Sequence, residues 1–148
     1  MKSIVLLTFL LDQLCKHWIN QNLAVGEKRE LLKNKLHITN LKNKGMAMGA
    51  FSEKRWFVLL ASALAMVSII RLWKRTEGLE KLGVAFMAGG GISNIYDRFV
   101  KGEVTDYIFF KSKKVTPVFN LADIFAIVGF VIALIARLSS TRNKKWYY

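Results

Sequence analysis

Two aspartates in the second half of the chain, Asp106 and Asp123, have the side chain and the setting that acid–base hydrolysis requires. Each lies in a short polar motif beside an apolar segment, where a membrane helix is expected to meet water. Two carboxyl groups held close together do not both ionise readily, so one keeps a proton while the other accepts one from water. Such a pair could hydrolyse a peptide bond at a bilayer surface without a metal or a covalent intermediate.

Each of these polar residues also has a purely structural interpretation. Asn120, three positions before Asp123, has the spacing of a helix N-cap with an acidic residue in the first turn. Asp106 could end a strand or enter a turn. Asp97 and Arg98 could form an ion pair that closes a helix.

The elements that must position the acids are long apolar blocks. Each is close to the roughly 20 residues needed to cross a hydrocarbon core. The second and fourth blocks lack the polar stripe that a soluble helical bundle shows at every turn. We therefore predict a mostly α-helical membrane protein, a single integral domain over residues 1–148. Its four transmembrane helices are expected at about 4–19, 56–73, 79–96 and 118–138.

The first and third blocks contain polar residues that need partners. Asp12 and Lys16 lie one helical turn apart with the acid first, which is a favourable pairing. Ionisable groups within a span normally face a protein interior or a wet cavity. A structural ion pair and a contact with substrate both remain open for these two residues. The run of three glycines at 89–91 permits close helix packing.

The segments between the blocks, about 20–55 and 97–117, have strand-like stretches. Apolar and polar residues alternate around 36–41 and again around 104–110. We predict a small β-sheet lying on the bilayer. Such a platform could receive an extended peptide by strand addition.

Composition limits the other classes of function. The single cysteine, Cys15, excludes an internal disulfide, and His17 and His37 have no recognisable metal-ligand spacing, so we expect no metal and no cofactor. The net charge of +13 comes mostly from basic residues in the connecting segments. That distribution favours contact with anionic lipid head groups over nucleic-acid binding.

Orientation is poorly determined by charge. With four spans, the side that holds both termini carries 9 basic residues, and the opposite side carries 13. A simple positive-inside count would place the termini outside. The rule is most reliable for short loops, however, and the 13 lie largely in long segments. Charge alone leaves the orientation open.

The polar motifs together resemble the lipoprotein signal peptidase family, also called signal peptidase II, over nearly the whole chain. The motifs are Asp12-Gln13 with Lys16, Asn43-x-Gly45 followed by Ala47 and Gly49, Gly91-x-x-Asn94-x-x-Asp97-Arg98 with Gly102-x-Val104-x-Asp106, and Phe119-Asn120-x-Ala122-Asp123. The chain departs from the usual family pattern at Met46, Met48, Ser93 and Tyr107. These departures bear on substrate fit more than on chemistry.

The resemblance implies an aspartic endopeptidase with Asp106 and Asp123 as its catalytic dyad. It also implies that the substrate is a prolipoprotein whose cysteine bears a diacylglyceryl group, cleaved on the amino side of that cysteine. The enzyme would be a monomer, with lipids as its other partners, in the bacterial cytoplasmic (inner) membrane. Both termini would then be cytoplasmic, with the dyad and the sheet platform near the outer surface. Substrate-binding or supporting roles are expected for Asp12, Lys16, Asn43, Gly45, Asn94, Asp97, Arg98 and Asn120.

Two alternatives remain. Four spans with an acid in the first is also a layout for a small proton-coupled multidrug transporter, in which Asp12 would be the functional acid. A family member that has lost activity and only binds lipidated peptides is the other. Replacement of Asp12 should mainly affect a transporter, whereas replacement of Asp123 should abolish proteolysis.

Overall fold

One of the four long helices, Gly78–Tyr96, lies at the centre of the helical part of the protein and packs against the other three. A computed structural model describes residues 1–33, 35–46, 50–110 and 117–144. Four long helices and a four-stranded sheet account for most of these residues. In chain order the elements are α1 (Lys2–Asn22), β1 (Lys28–Leu32), β2 (Leu36–Asn43), α2 (Arg55–Arg75), α3 (Gly78–Tyr96), a π-helical turn (Asp97–Lys101), β3 (Val104–Phe110), β4 (Val118–Phe119) and α4 (Leu121–Lys144).

Glycine allows α3 and α4 to approach closely. A Cβ atom at Gly83 would overlap the carbonyl oxygen of Gly129, and one at Gly90 would overlap that of Ala122. Small residues at such contacts let helix backbones meet in membranes. The predicted packing role of the glycine run is therefore confirmed at Gly90. The close contact of Gly90 with Ala122 positions the end of α4 that carries Asp123.

The sheet is antiparallel, in the order β1-β2-β3-β4. Between Ile38 and Leu41 the pairing of β2 with β3 shifts register, next to the point where Leu41 lies opposite Asp106. Such irregularities re-aim side chains beside functional sites. The two residues in the shift, Thr39 and Asn40, are buried and bond to main-chain oxygens of Glu27 and Leu23.

The sheet joins the helices through a small apolar cluster of Ile19, Leu23 and Tyr107. The turn after α3 ends at Gly102, whose φ of 80° is the left-handed conformation that glycine adopts without strain. The chain then enters β3 directly. In this way the end of α3, strand β3 and the start of α4 are brought to one place.

The predicted elements are largely confirmed, with one correction at the fourth block. The prediction began that helix at Val118, but Val118 and Phe119 form β4 and pair with β3. Helix α4 starts only after Asn120, because that residue caps it. The predicted small sheet is present. Residues 47–49 and 111–116, which include Ala47, Met48 and Gly49 of the second motif, lie outside the described ranges.

Two stretches, Trp56–Arg75 and Leu121–Ser140, are long and apolar enough to cross a membrane. Little of either is buried by the rest of the protein. The four-span prediction is thus supported for α2 and α4 and stays a prediction for α1 and α3. Helix α1 nevertheless carries large exposed apolar residues, among them Leu7 and Leu14, beside its buried Asp12 and Lys16.

Candidate active site

Strand β3 and the first turn of α4 bring Asp106 and Asp123 to the same cavity. The cavity has a volume of about 370 Å³, and its polar lining comprises both aspartates together with Asn43, Asn94, Arg98 and Asn120. Its other walls are mainly apolar and include Val118 and Ile127. A concave apolar site with a few convergent polar groups is typical of a ligand-binding or catalytic pocket.

Asn120 links the two aspartates and is completely buried. Its side-chain oxygen accepts a hydrogen bond from the backbone N–H of Asp123 at 2.9 Å, and its own backbone N–H donates to Asp123 Oδ2 at 3.1 Å. This reciprocal pair is a helix cap, so the structural interpretation of Asn120 is correct as far as it goes. The remaining group, Nδ2, donates to Asp106 Oδ1 at 2.8 Å. Because a backbone N–H can only donate, it fixes which end of the Asn120 amide faces Asp106.

Lys16 fixes the orientation of a second amide, that of Asn94. Lys16 Nζ donates to Asn94 Oδ1 at 2.9 Å, and Asn94 Nδ2 donates to Asp123 Oδ1 at 2.8 Å. An ammonium group has no acceptor, so the Asn94 oxygen must face Lys16 and its NH₂ must face Asp123. Both oxygens of Asp123 therefore accept hydrogen bonds from groups that can only donate.

Asn43 holds Asp106 in the same way. Its side-chain oxygen accepts from the backbone N–H of Gly45 at 2.9 Å, which leaves Nδ2 to donate to Asp106 Oδ2 at 2.8 Å. Arg98 Nη2 donates to the carbonyl oxygen of Gly45 at 3.3 Å. Gly45 and Arg98 thus position the loop that carries Asn43, and Arg98 also lines the cavity.

Beneath the cavity lies a buried group of charges. Lys16 is completely buried and forms ion pairs of 2.6 Å with both Asp12 and Asp97. Asp97 is also paired with Lys101 at 2.6 Å. The suggested Asp97–Arg98 ion pair is therefore wrong, because the acid faces the two lysines. Asp12 Oδ1 accepts from the backbone N–H of Ala122 at 3.0 Å, so this acid holds the first turn of α4 in place.

Three further residues, Gln13, Ser93 and Tyr107, support the site and were not among the predicted site residues. Ser93, fully buried, donates to Asp12 Oδ2 at 2.6 Å and accepts from Gln13 Nε2 at 2.8 Å. Tyr107 Oη accepts from the backbone N–H of Leu121 at 3.1 Å. Ser93 and Tyr107 are two of the departures from the family pattern, and a polar group replacing an apolar one was the signal that could have identified them.

Asp106, the dyad residue that lies on strand β3, has a perturbed pKa. Burial raises the pKa of Asp106 to about 6, and the charge of Asp123 acts in the same direction, while the hydrogen bonds from Asn43 and Asn120 oppose it. A carboxyl group with a pKa this close to neutral can hold or release a proton at ordinary pH, as an acid–base catalyst must.

Metal-ligating side chains do not cluster in the described residues: no group of three or more His, Cys, Asp or Glu lies close enough to hold an ion.

Comparison with known proteins agrees with the geometry. The family model for Signal peptidase (SPase) II matches residues 4–139. A lipoprotein signal peptidase of Lactococcus lactis subsp. lactis is 33% identical over 144 residues, covering 95% of each chain. One from Nostoc punctiforme is 36% identical over 138 residues, covering 91% of this chain and 87% of its own.

Solved structures show the same architecture. A bacterial membrane enzyme determined by the in meso method at 2.3 Å resolution superposes with a TM-score of 0.85 at 26% identity, covering 96% of this chain and 89% of that one. A second, at 1.9 Å resolution, superposes with a TM-score of 0.81 at 25% identity, covering 92% and 90%.

Proposed function

The chain belongs to the signal peptidase II family, and we propose that it removes signal peptides from prolipoproteins by an aspartyl mechanism centred on Asp106 and Asp123. The observation that carries the aspartyl assignment is the convergence of both carboxyl groups on one cavity, linked by the amide of Asn120.

The proposed reaction is direct attack by water. The ionised aspartate accepts a proton from a water molecule, whose oxygen forms a bond to the scissile carbonyl carbon. The protonated aspartate donates a hydrogen bond to the developing oxyanion. When the C–N bond breaks, the proton taken from water passes to the leaving amine, and the pair returns to its single-proton state. The two carboxyl groups titrate together, so the shared proton is assigned to the pair.

The surrounding residues then have distinct roles. Asn43, Asn94 and Asn120 hold the carboxyl oxygens by hydrogen bonds of 2.8 Å. We assign to Asp12 and Lys16 the positioning of α4 and of Asn94, since both are buried beneath the cavity rather than in its lining. Of the two roles left open for this ion pair, the positioning role is therefore favoured over a direct contact with substrate.

Two further expected site residues, Asp97 and Arg98, are assigned to different parts of the site. Asp97 keeps Lys16 and Lys101 in place through its ion pairs. Arg98 lines the cavity beside the dyad and, with Gly45, supports the loop of Asn43. A guanidinium group in that place is able to contact the substrate backbone, because its planar donors suit carbonyl oxygens.

The membrane arrangement follows from the reaction. We propose one integral domain in the bacterial cytoplasmic membrane, in which all four helices cross and both termini are cytoplasmic. The sheet and the dyad would then meet the lipidated cysteine near the outer surface. The contrary charge count has an explanation: several of the 13 basic residues are held within the sheet platform or the site, such as Lys42 by Thr105 and Lys101 by Asp97.

The cavity suits an extended peptide attached to lipid. Strand β4 ends the sheet, and both of its residues line the cavity, so a substrate strand could add beside the dyad. Ile127, largely exposed on α4, continues the apolar wall along the helix and would face the acyl chains. We therefore propose cleavage on the amino side of a diacylglyceryl-modified cysteine. We also propose that the chain acts as a monomer.

The transporter alternative is not favoured by the position of Asp12. Its carboxyl group is fully buried and is bonded to Lys16, Ser93 and the Ala122 backbone. A proton-exchanging acid would instead need access to water and a changeable partner.

The function is tested with the purified chain in detergent and a diacylglyceryl-modified prolipoprotein. We expect cleavage that releases a product beginning with the lipidated cysteine, identified by its mass, and far slower cleavage of the unmodified precursor. Loss of cleavage in a folded Asp123→Asn variant is also expected. A well-folded parent that binds the lipidated substrate without cleaving it would contradict the proposal and favour a binding protein.

A further inference from the structure

A second cavity lies at the opposite end of the helices from the dyad. It is formed by the end of α2, the start of α3 and the last turns of α4, and its volume is about 940 Å³. Asp123 lies near the start of α4, whereas Ser139 lines the second cavity. At 1.5 Å per residue these positions are about 24 Å apart along the helix, close to the thickness of a hydrocarbon core. In the membrane arrangement proposed above, the second cavity lies at the other surface of the bilayer.

The rim of this cavity is positively charged. Lys74, Arg75 and Lys81 all line it. Of the two acids that also line it, Glu80 is neutralised by an ion pair with Arg137 at 3.1 Å. Glu77 is left against three cations, so the cavity has a net positive charge.

One of these cations is held in position by an aromatic ring. The ammonium group of Lys81 lies 5.5 Å from the ring centre of Trp73, within the range of a cation–π contact. Lys74 and Arg75, in the last turn of α2, are exposed and form no ion pair with another described residue. Both are thus available to an anion at the membrane surface.

The inner wall of the cavity is apolar. Leu79 and Leu82 of α3 face Ile132 and Ile135 of α4 across it. Leu79 and Ile135 are 67% and 59% exposed, so this wall continues onto the surface of the helices that faces lipid. A cationic rim above an apolar wall matches a molecule with an anionic head and a hydrocarbon chain.

We propose that this cavity binds an anionic phospholipid. Its phosphate would lie among Lys74, Arg75 and Lys81, with one acyl chain along Leu79 and Ile135. A zwitterionic lipid carries its own cation next to the phosphate and gains less from the rim. A free phosphate lacks the chain and cannot use the wall. The site is independent of the proposed peptide-bond hydrolysis and would tie the end of the α2–α3 hairpin to the membrane surface.

The test is a lipid titration of the full chain in detergent, followed by native mass spectrometry. Dioctanoyl phosphatidylglycerol, dioctanoyl phosphatidylcholine and glycerol 3-phosphate are compared as ligands. We expect phosphatidylglycerol to bind at least about fivefold more tightly than phosphatidylcholine, and glycerol 3-phosphate not to bind. The double variant Lys74→Gln/Arg75→Gln removes two cations and should weaken the binding of phosphatidylglycerol about 30-fold, since each basic group near a membrane surface raises the affinity roughly fivefold.

The matched control is Lys33→Gln/Lys35→Gln, which removes the same charge from two exposed residues of the β1–β2 turn. It should change binding by less than about twofold. An equal loss of phosphatidylglycerol binding in both double variants would show an effect of net charge alone and would overturn the proposed site. Equal binding of the two lipids, or tight binding of glycerol 3-phosphate, would overturn the anionic lipid as its occupant. The single variant Lys81→Gln, with a smaller expected loss of about fivefold, replaces the first double if that fails to fold.

Discussion

The carboxyl group of Asp106 should make the stability of the protein depend on pH, and an amide in its place should remove that dependence. Burial raises the pKa of this group from 3.8 to about 6. A carboxyl group with a higher pKa in the folded state binds its proton more tightly there than in the unfolded chain. Its contribution to the free energy of unfolding is therefore greatest at low pH and is lost as the pH rises through 6.

The size of the effect follows from these two values. Between pH 4.5 and pH 8 the free energy of unfolding of the parent should fall by about 2 kcal/mol because of this group. The fall is about 1.4 kcal/mol per pH unit over the interval in which the group is ionised only in the unfolded state. Asp106→Asn lacks this loss, so its stability relative to the parent should rise by about 2 kcal/mol over the same range. Any fixed effect of placing an amide against Asn43 and Asn120 cancels in the comparison.

Thermal melting of both proteins in detergent across this pH range measures the difference. For a chain of this length we expect the gap in Tm to change by about 4–8 °C in favour of Asp106→Asn at pH 8. Glu53→Gln, at an exposed acid outside the cavity, is the control and should melt in parallel with the parent. Parallel curves for Asp106→Asn would refute the reasoning, because they would mean that proton binding by the folded protein in this pH range does not depend on Asp106.

Other variants test the positioning network. Lys16→Met removes the buried cation and leaves two buried acids short of a partner, so it should destabilise the fold by about 3–5 kcal/mol in chemical unfolding. Gly90→Ala places a methyl group against the carbonyl of Ala122, so it should lower the free energy of unfolding by about 1–3 kcal/mol and slow cleavage. Gly91→Ala should be tolerated, because its methyl group meets the flexible end of Met66 and makes an ordinary contact with Ile69. Asn120→Ala removes the side-chain hydrogen bonds to Asp106 and to the backbone of Asp123, and it should lower kcat at least tenfold with little change in KM. An unchanged kcat would show that Asn120 only caps α4.

The helices and the sheet could be predicted because hydrophobic length and alternation are local properties of the sequence. The start of α4 could not be placed at the right residue from hydropathy, since Val118 and Phe119 are as apolar as the helix that follows. They form a strand because β3 offers them partners, and Asn120 then caps the helix. Asp106 and Asp123 stood out because they are acids beside apolar segments. That the two acids share one cavity could not be predicted in the same way, because it depends on the close packing of α3 against α4, which is a tertiary contact.

The supporting residues were predictable in type but not in pairing. Spacing within one helix indicated the Asp12–Lys16 pair, which the structure contains. The same local reasoning paired Asp97 with its neighbour Arg98, although a helical turn sends adjacent side chains in different directions. Asp97 reaches Lys16 on another helix instead. The partner of Ser93 was not predicted, because a serine in an apolar helix can hydrogen-bond to its own helix, and only the packing of α1 on α3 shows that the partner is Asp12.

The central claim is that two aspartates carry out the hydrolysis, and single-turnover cleavage by folded Asp106→Asn and Asp123→Asn tests it most directly. Both variants keep nearly the same shape, and Glu103→Gln, close to Asp106 in sequence but absent from the cavity lining, serves as a control for the loss of one acid. We predict that each dyad variant still binds the lipidated precursor and cleaves it at least about 10³-fold more slowly than the parent, while the control stays within about threefold. Cleavage by either dyad variant at a rate near that of the parent would contradict the aspartyl mechanism.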